Sequence, residues 1–174
     1  MVKLIFAAGP KGEFGAGNGL PWDCPEDLAH FKRETAGYDL IMSAATFRSL
    51  PGVLPGRVHI VIGDTPVVAK NGAEPHFQLG SQTTLENAIK FSENANVAVI
   101  GGRKLIDQAV PLCDIAMITK IDESYVKDAD IFIDIRRVID NLDLYLGHTM
   151  ITQLGNHTLF TKKGLTLRNL NENK

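Results

Sequence analysis

The sequence predicts an α/β protein built on a mostly parallel sheet, with helices on its faces and a more antiparallel C-terminal edge. Three observations carry that expectation. The early chain alternates strand-like and helical stretches, the pattern of parallel strands joined by crossovers. The runs Leu4-Ile5-Phe6-Ala7 and Val97-Ala98-Val99-Ile100 are continuously apolar, as strands covered on both faces must be. In the C-terminal third, strand-like runs dominate instead. Ligands of such sheets sit at the carboxyl ends of the strands.

The elements follow in order. Residues 2–8 form a first strand, and five glycines between Gly9 and Gly19 make a permissive loop able to close over a ligand. Asp23 and Glu26 read as a helix cap, with Pro25 suited to the first turn of a helix reaching about Thr35. At about 100° per residue, Asp27, Leu28, Phe31 and Thr35 share one face of that helix, and Glu26, His30 and Arg33 fall on the other. Strands follow at 39–43, 58–63, 97–101, 115–121, 131–135 and 157–162, with 66–80 expected to be irregular because of its Pro, Asn and Gly. Two strand-to-helix junctions, Ser43-Ala44-Ala45-Thr46 and Gly101-Gly102-Arg103-Lys104, offer free helix-start amides that attract phosphate.

At 174 residues with 44% hydrophobic content, the chain fits one domain, set here at 1–166, followed by a polar tail at 167–174. A formal charge of −2, from 18 basic and 20 acidic residues, gives no footprint for nucleic acid. No apolar run approaches the length of a membrane span or signal peptide, so a cytoplasmic protein is expected. Cys24 and Cys113 lie far apart, without metal spacing, and read as reduced structural thiols. His30, His59, His76, His148 and His157 show no metal spacing and read as surface or local structural residues, so no metal site is expected.

The most informative residue is Asp27. A carboxylate beside Leu28 and Phe31 can pair with a cationic or amidine-like ligand, or handle a proton, because burial and its partner set its protonation. Arg57, just after the Leu54-Pro55-Gly56 turn, can clamp a carboxylate bidentately.

Taken together, Leu20-Pro21-Trp22, Pro25 with Asp27-Leu28 and Phe31-Lys32, Ile41-Met42, Thr46-Phe47 with Ser49-Leu50, Leu54-Pro55-Gly56-Arg57 and Val99-Ile100-Gly101-Gly102 resemble the dihydrofolate reductase family. The resemblance runs over 1–64 and again over 97–121. It implies a single domain with a twisted, eight-stranded, mostly parallel sheet, and hydride transfer from a reduced nicotinamide to the pterin of dihydrofolate.

By that resemblance, Asp27 holds the pterin's amino group and ring nitrogen, and Thr119 bonds the carboxylate. Trp22 steadies a water beside it, and Leu20 covers the nicotinamide. Ile5, Ala7, Leu28, Phe31, Leu50, Leu54 and Ile100 line the substrate pocket, with Arg57 on the glutamyl carboxylate. Ala7, Gly15, Asn18, Leu20, Ala45, Thr46, Gly63, Asp64 and the run Ile100, Gly101, Gly102, Arg103, Lys104, Leu105 and Ile106 meet the cofactor. Gly101-Gly102 matches a pair that the family joins by a cis peptide, and Asp130 matches a carboxylate that braces the lid.

Departures from the pattern bear on the cofactor. Ala44 and Ala45 stand where relatives commonly carry basic residues, Gly63 and Asp64 where they carry hydroxyls, and Ile106 where they carry a tyrosine. Asp64 would repel a 2′-phosphate, which leaves NADH beside NADPH as a donor. The partner is dihydrofolate, and the expected state is a monomer. Two alternatives share the fold: a riboflavin-pathway aminouracil reductase, and a non-catalytic folate-binding or assembly protein.

Overall fold

The computed structural model describes residues 1–162; the predicted tail at 167–174 lies outside the described residues. Chain order is β1 (Val2–Ala8), β2 (Glu13–Gly15), α1 (Pro25–Glu34), β3 (Asp39–Ser43), α2 (Ala44–Ser49), β4 (His59–Ile62), β5 (Phe77–Leu79), α3 (Leu85–Phe91), β6 (Val97–Val99), α4 (Arg103–Ala109), β7 (Ile115–Ile121), β8 (Ile131–Phe132), α5 (Ile135–Asn141), β9 (Tyr145–Ile151) and β10 (Gly155–Thr161).

Eight strands form one sheet in the order β5-β4-β3-β6-β1-β7-β10-β9, and β2 pairs with β8 in a separate two-stranded sheet. Pairings from β5 across to β7 are parallel, with Leu4 opposite both Val99 and Ala116 at the centre. β10 runs antiparallel to both β7 and β9, the expected reversal at the C-terminal edge.

Side-chain alternation along β1 explains its apolar run. Leu4, Phe6 and Ala8 enter a core that also takes Leu85, Leu105, Ile106 and Val138 from α3, α4 and α5. Ile5 points to the opposite core, with Phe47, Leu54, Met117 and the half-buried Phe31 of α1. Both faces are covered, so no polar alternation is needed.

Several local expectations change. Pro25 does take the first turn of α1, but Cys24 occupies the N-cap and no side chain caps it; Asp23 is exposed. Cys24 Sγ instead donates to Glu26 Oε2 at 3.0 Å. The predicted irregular segment 66–80 contains β5, which adds to the sheet through pairing with Ile60–Ile62 of β4. The strand expected at 131–135 stops at Phe132, because Asp134 caps α5 by accepting from Arg137 N at 3.0 Å. β9 lies outside the expected strands: all seven of its residues are exposed, so the one-sided apolar pattern that marks a strand is lacking.

Candidate active site

Asp27 lies in the first turn of α1, half-buried, and its Oδ2 accepts a hydrogen bond from Trp22 Nε1 at 2.8 Å. Burial pushes the carboxyl above the ordinary aspartate range, while the indole N–H works in the opposite direction. Trp22, 6% exposed, is packed with Ala7, Cys24 and Ile121. The tryptophan therefore meets the carboxylate directly, a contact that the resemblance did not imply.

Ile5, Leu54 and Ile100 belong to a single buried cluster, with Phe31 and Leu50 half-buried against it, so five expected pocket residues converge beside α1. Leu28 is half-buried on the same helix as Asp27. Arg57 is held by backbone: Nε donates to Thr35 O at 2.9 Å, Nη2 to Lys32 O at 2.5 Å and Nη1 to Pro55 O at 3.4 Å. These bonds lock a planar cation at the C-terminal end of α1, and partial burial draws its pKa down.

The glycine-rich loop is braced at three points. β2 pairs with β8, Gly17 N donates to Asp130 Oδ2 at 3.0 Å, and Lys127 N donates to Pro21 O at 2.7 Å. Asp130 N returns a bond to Gly15 O at 2.9 Å, so this carboxylate sits where a lid brace was expected. Gly12 has φ +87, and a Cβ there would lie 2.2 Å from Ile133 O, so only glycine fits at the root of the loop. Leu20 is 50% exposed on the loop.

Across from the loop, the two strand-to-helix junctions meet. The Gly101–Gly102 peptide bond is cis. Gly101 adopts φ +134, and a Cβ on it would stand 3.1 Å from Thr46 Oγ1. Ser43 Oγ caps α2 by accepting from Thr46 N at 3.3 Å, and also accepts from Gly102 N at 3.1 Å. Ser43 N in turn donates to Gly101 O at 2.9 Å. The result is a side-chain-poor cradle at the carboxyl ends of β3 and β6, suited to a pyrophosphate.

Five expected site residues make contacts within the chain that the resemblance did not imply. Thr119 Oγ1 bonds His157 Nδ1 at 2.9 Å rather than Asp27. Asp64 Oδ1 accepts from Ser81 N at 2.8 Å and Oδ2 from Ser81 Oγ, so its carboxylate ties down the Gly80–Ser81 turn and is held below the usual range. Arg103 is exposed and its Nη1 donates to Phe132 O at 3.2 Å, away from the cradle. Ile106 is fully buried in the core under α4 and Leu105 is 6% exposed there, so any cofactor contact from these two runs through backbone. Ala45 and Lys104 are exposed at the starts of α2 and α4, Asn18 is exposed on the loop, and Thr46 and Gly63 are half-buried.

Sequence reasoning put His30 on the exposed face of α1, yet it is 4% exposed and its ring lies 4.0 Å from that of His157, itself 3% exposed. Neither ring nitrogen of His30 has a hydrogen-bond partner, and burial drives its pKa down to about 4. A helical wheel assumes one buried face, whereas α1 is also contacted by β10 on its far flank. His157 Nε2 continues to Thr152 Oγ1 at 3.0 Å, a polar chain reaching Thr119 that no local sequence signal announced.

Among the described residues, no group of three or more His, Cys, Asp or Glu is placed to hold a metal, and no helix is long and apolar enough to cross a membrane. A family model described as dihydrofolate reductase matches residues 1–137. The dihydrofolate reductase of Neisseria meningitidis (serogroup A, strain Z2491) is 40% identical over 130 residues, 74% of this chain and 76% of that protein. That of Mycobacterium tuberculosis (strain H37Rv) is 35% identical over 132 residues, again 74% and 76% of the two chains. A solved structure of the Enterococcus faecalis dihydrofolate reductase, complexed with NADP(H) and RAB-propyl, superposes with a TM-score of 0.68 at 24% identity, covering 94% of this chain and 96% of that one; it supports the fold. The family model spans residues 1–137 and a relative of that name is 40% identical over 74% of the chain, and on that ground the chain belongs to the dihydrofolate reductase family.

Proposed function

We propose that this chain reduces 7,8-dihydrofolate to tetrahydrofolate with NADPH as hydride donor, and that Asp27 is the residue that receives the pterin. The observation that carries the reading is the Asp27 carboxylate, desolvated, steadied by Trp22 and one helical turn from Phe31, which packs against the Ile5, Leu50, Leu54 and Ile100 cluster. A carboxylate in that setting binds the 2-amino group and adjacent ring nitrogen through two parallel bonds. It also favours a cationic ring, which draws a proton toward N5.

The cradle of Ser43, Thr46, Gly101 and Gly102 fits a dinucleotide, because its two glycines let the junctions approach closely and leave room for a pyrophosphate. NADPH, when bound there, supplies the hydride. Ala7 and Leu20 then flank the nicotinamide, and closing the Asp130-braced loop excludes water, which strengthens the Asp27 interactions and fixes donor against acceptor. Arg57, preset by three carbonyls, takes the glutamyl carboxylate. The site is contained within one chain, in keeping with a monomer. Two buried free thiols, Cys24 and Cys113, accord with a reducing cytoplasm.

The test is loss of reduced-nicotinamide absorbance with dihydrofolate and either NADPH or NADH. Turnover with dihydrofolate supports the reading; turnover with an aminouracil substrate alone, or binding of folate without turnover, refutes it.

A further inference from the structure

A groove of about 1010 Å³ opens on the face of the sheet opposite the Asp27 pocket, between the root of the glycine loop, α4 and α5. Five cations line it: Lys11, Arg103, Lys120, Arg136 and Arg137. They face two carboxylates, Asp107 and Asp134. Asp134 is engaged as the N-cap of α5, which leaves its charge partly committed to the Arg137 backbone. In a chain of net charge −2, the groove gathers five cations against two carboxylates. The floor is apolar, formed by Ile133 and Val138, and Phe132 presents a ring 46% exposed on the rim.

The two faces are separated by the sheet itself. Ile133 and Val138 belong to the core shared with α3 and α4, whereas Ile5, Leu54 and Ile100 belong to the other core. An occupant of the groove therefore lies across the sheet from Asp27, and its nearest approach to the Ser43 and Gly102 junction is through Arg103 at the start of α4. Of the groove's lining, Arg103 alone belongs to the residues that the resemblance places on the cofactor, and its guanidinium is turned to Phe132 O.

We propose that the groove is a second ligand site, and that it takes a nucleoside diphosphate or triphosphate. The volume suits a small molecule rather than a peptide or nucleic-acid strand. Arg side chains favour the planar, multidentate contacts that phosphates offer. The exposed Phe132 ring beside an apolar floor gives a base a surface to stack on, which an inorganic polyphosphate would leave unused.

The test is calorimetric titration of ATP into the full chain, with and without excess NADPH, and the same titration on the double variant Arg136→Glu/Arg137→Glu. Both positions are exposed in the first turn of α5, where acidic side chains favour the helix dipole, so the variant keeps its fold. A saturable ATP site that persists under excess NADPH and weakens about tenfold or more in the double variant is expected, since two charge-assisted contacts reverse sign. Tripolyphosphate and adenosine should each bind more weakly than ATP. No saturable binding at low millimolar ATP, loss of binding under NADPH, or an unchanged affinity in the double variant overturns the proposal. Tripolyphosphate binding as tightly as ATP overturns the nucleotide assignment.

Discussion

Replacing Asp27 by Asn separates what the site gains from its carboxylate and what the fold gives up to keep it. In the wild type, Oδ2 already accepts from Trp22 Nε1 at 2.8 Å, and the proposed function asks the same carboxylate to accept from the pterin. The amide retains one acceptor for Trp22 but loses the negative charge and one acceptor for the pterin. A hydrogen bond to a charged group contributes about 1.5–3 kcal/mol, and loss of a proton-handling group lowers rate by about 10² or more. Both routes converge on about 3 kcal/mol, so kcat with dihydrofolate should fall about 100-fold at neutral pH. The stability effect has the opposite sign. Burial raises the folded-state pKa of Asp27, so the stability this group contributes is present below the ordinary aspartate pKa and is lost as pH rises through the folded value. At neutral pH the carboxylate is therefore a net burden on the ligand-free protein. The Asn variant should melt no lower than wild type at neutral pH, with the difference closing in acid. The assays are nicotinamide absorbance and thermal melts across pH. A variant with kcat within a few-fold of wild type, or one that melts well below it, would refute the reasoning.

Three further outcomes are expected. His30→Leu should stabilise the protein at neutral pH by up to about 1–3 kcal/mol, because it removes a buried ring whose nitrogens lack partners. The folded His30 pKa near 4 against an ordinary 6.5 means that wild-type stability declines as pH falls from 6.5 toward 4, and the variant should show a shallower acid limb in denaturant titrations. Ala45→Arg, at the exposed start of α2, should lower KM for NADPH about two- to fivefold and leave NADH unchanged, the size of a solvent-exposed ion pair; equal changes for both cofactors would show that Ala45 does not approach the 2′-phosphate. Asp130→Ala, which removes the acceptor of the Gly17 amide, should lower kcat/KM about tenfold through a loop that closes less often, read by steady-state kinetics and by faster hydrogen exchange at Gly17.

What the sequence made legible is what local chemistry dictates. The apolar runs at β1 and β6 revealed a sheet covered on both faces, and the spacing of Asp27, Leu28 and Phe31 marked the functional helix, because both signals are carried by neighbouring residues. The hidden parts depend on partners distant in sequence. His30 is buried by His157, which only the antiparallel return of β10 brings alongside. Thr119 turns to that histidine, and Asp64 turns to Ser81. β9 escaped notice because an edge strand exposed on both faces carries no period-two pattern, and β5 because three residues between Pro and Gly read as a loop.

One hydroxyl, on Ser43, answers to two masters: it begins α2 and it anchors Gly102, 59 residues further along the chain. Tilting that short helix therefore drags the opposite turn with it, so the grip on a dinucleotide tightens or slackens as a single jaw instead of two independent fingers.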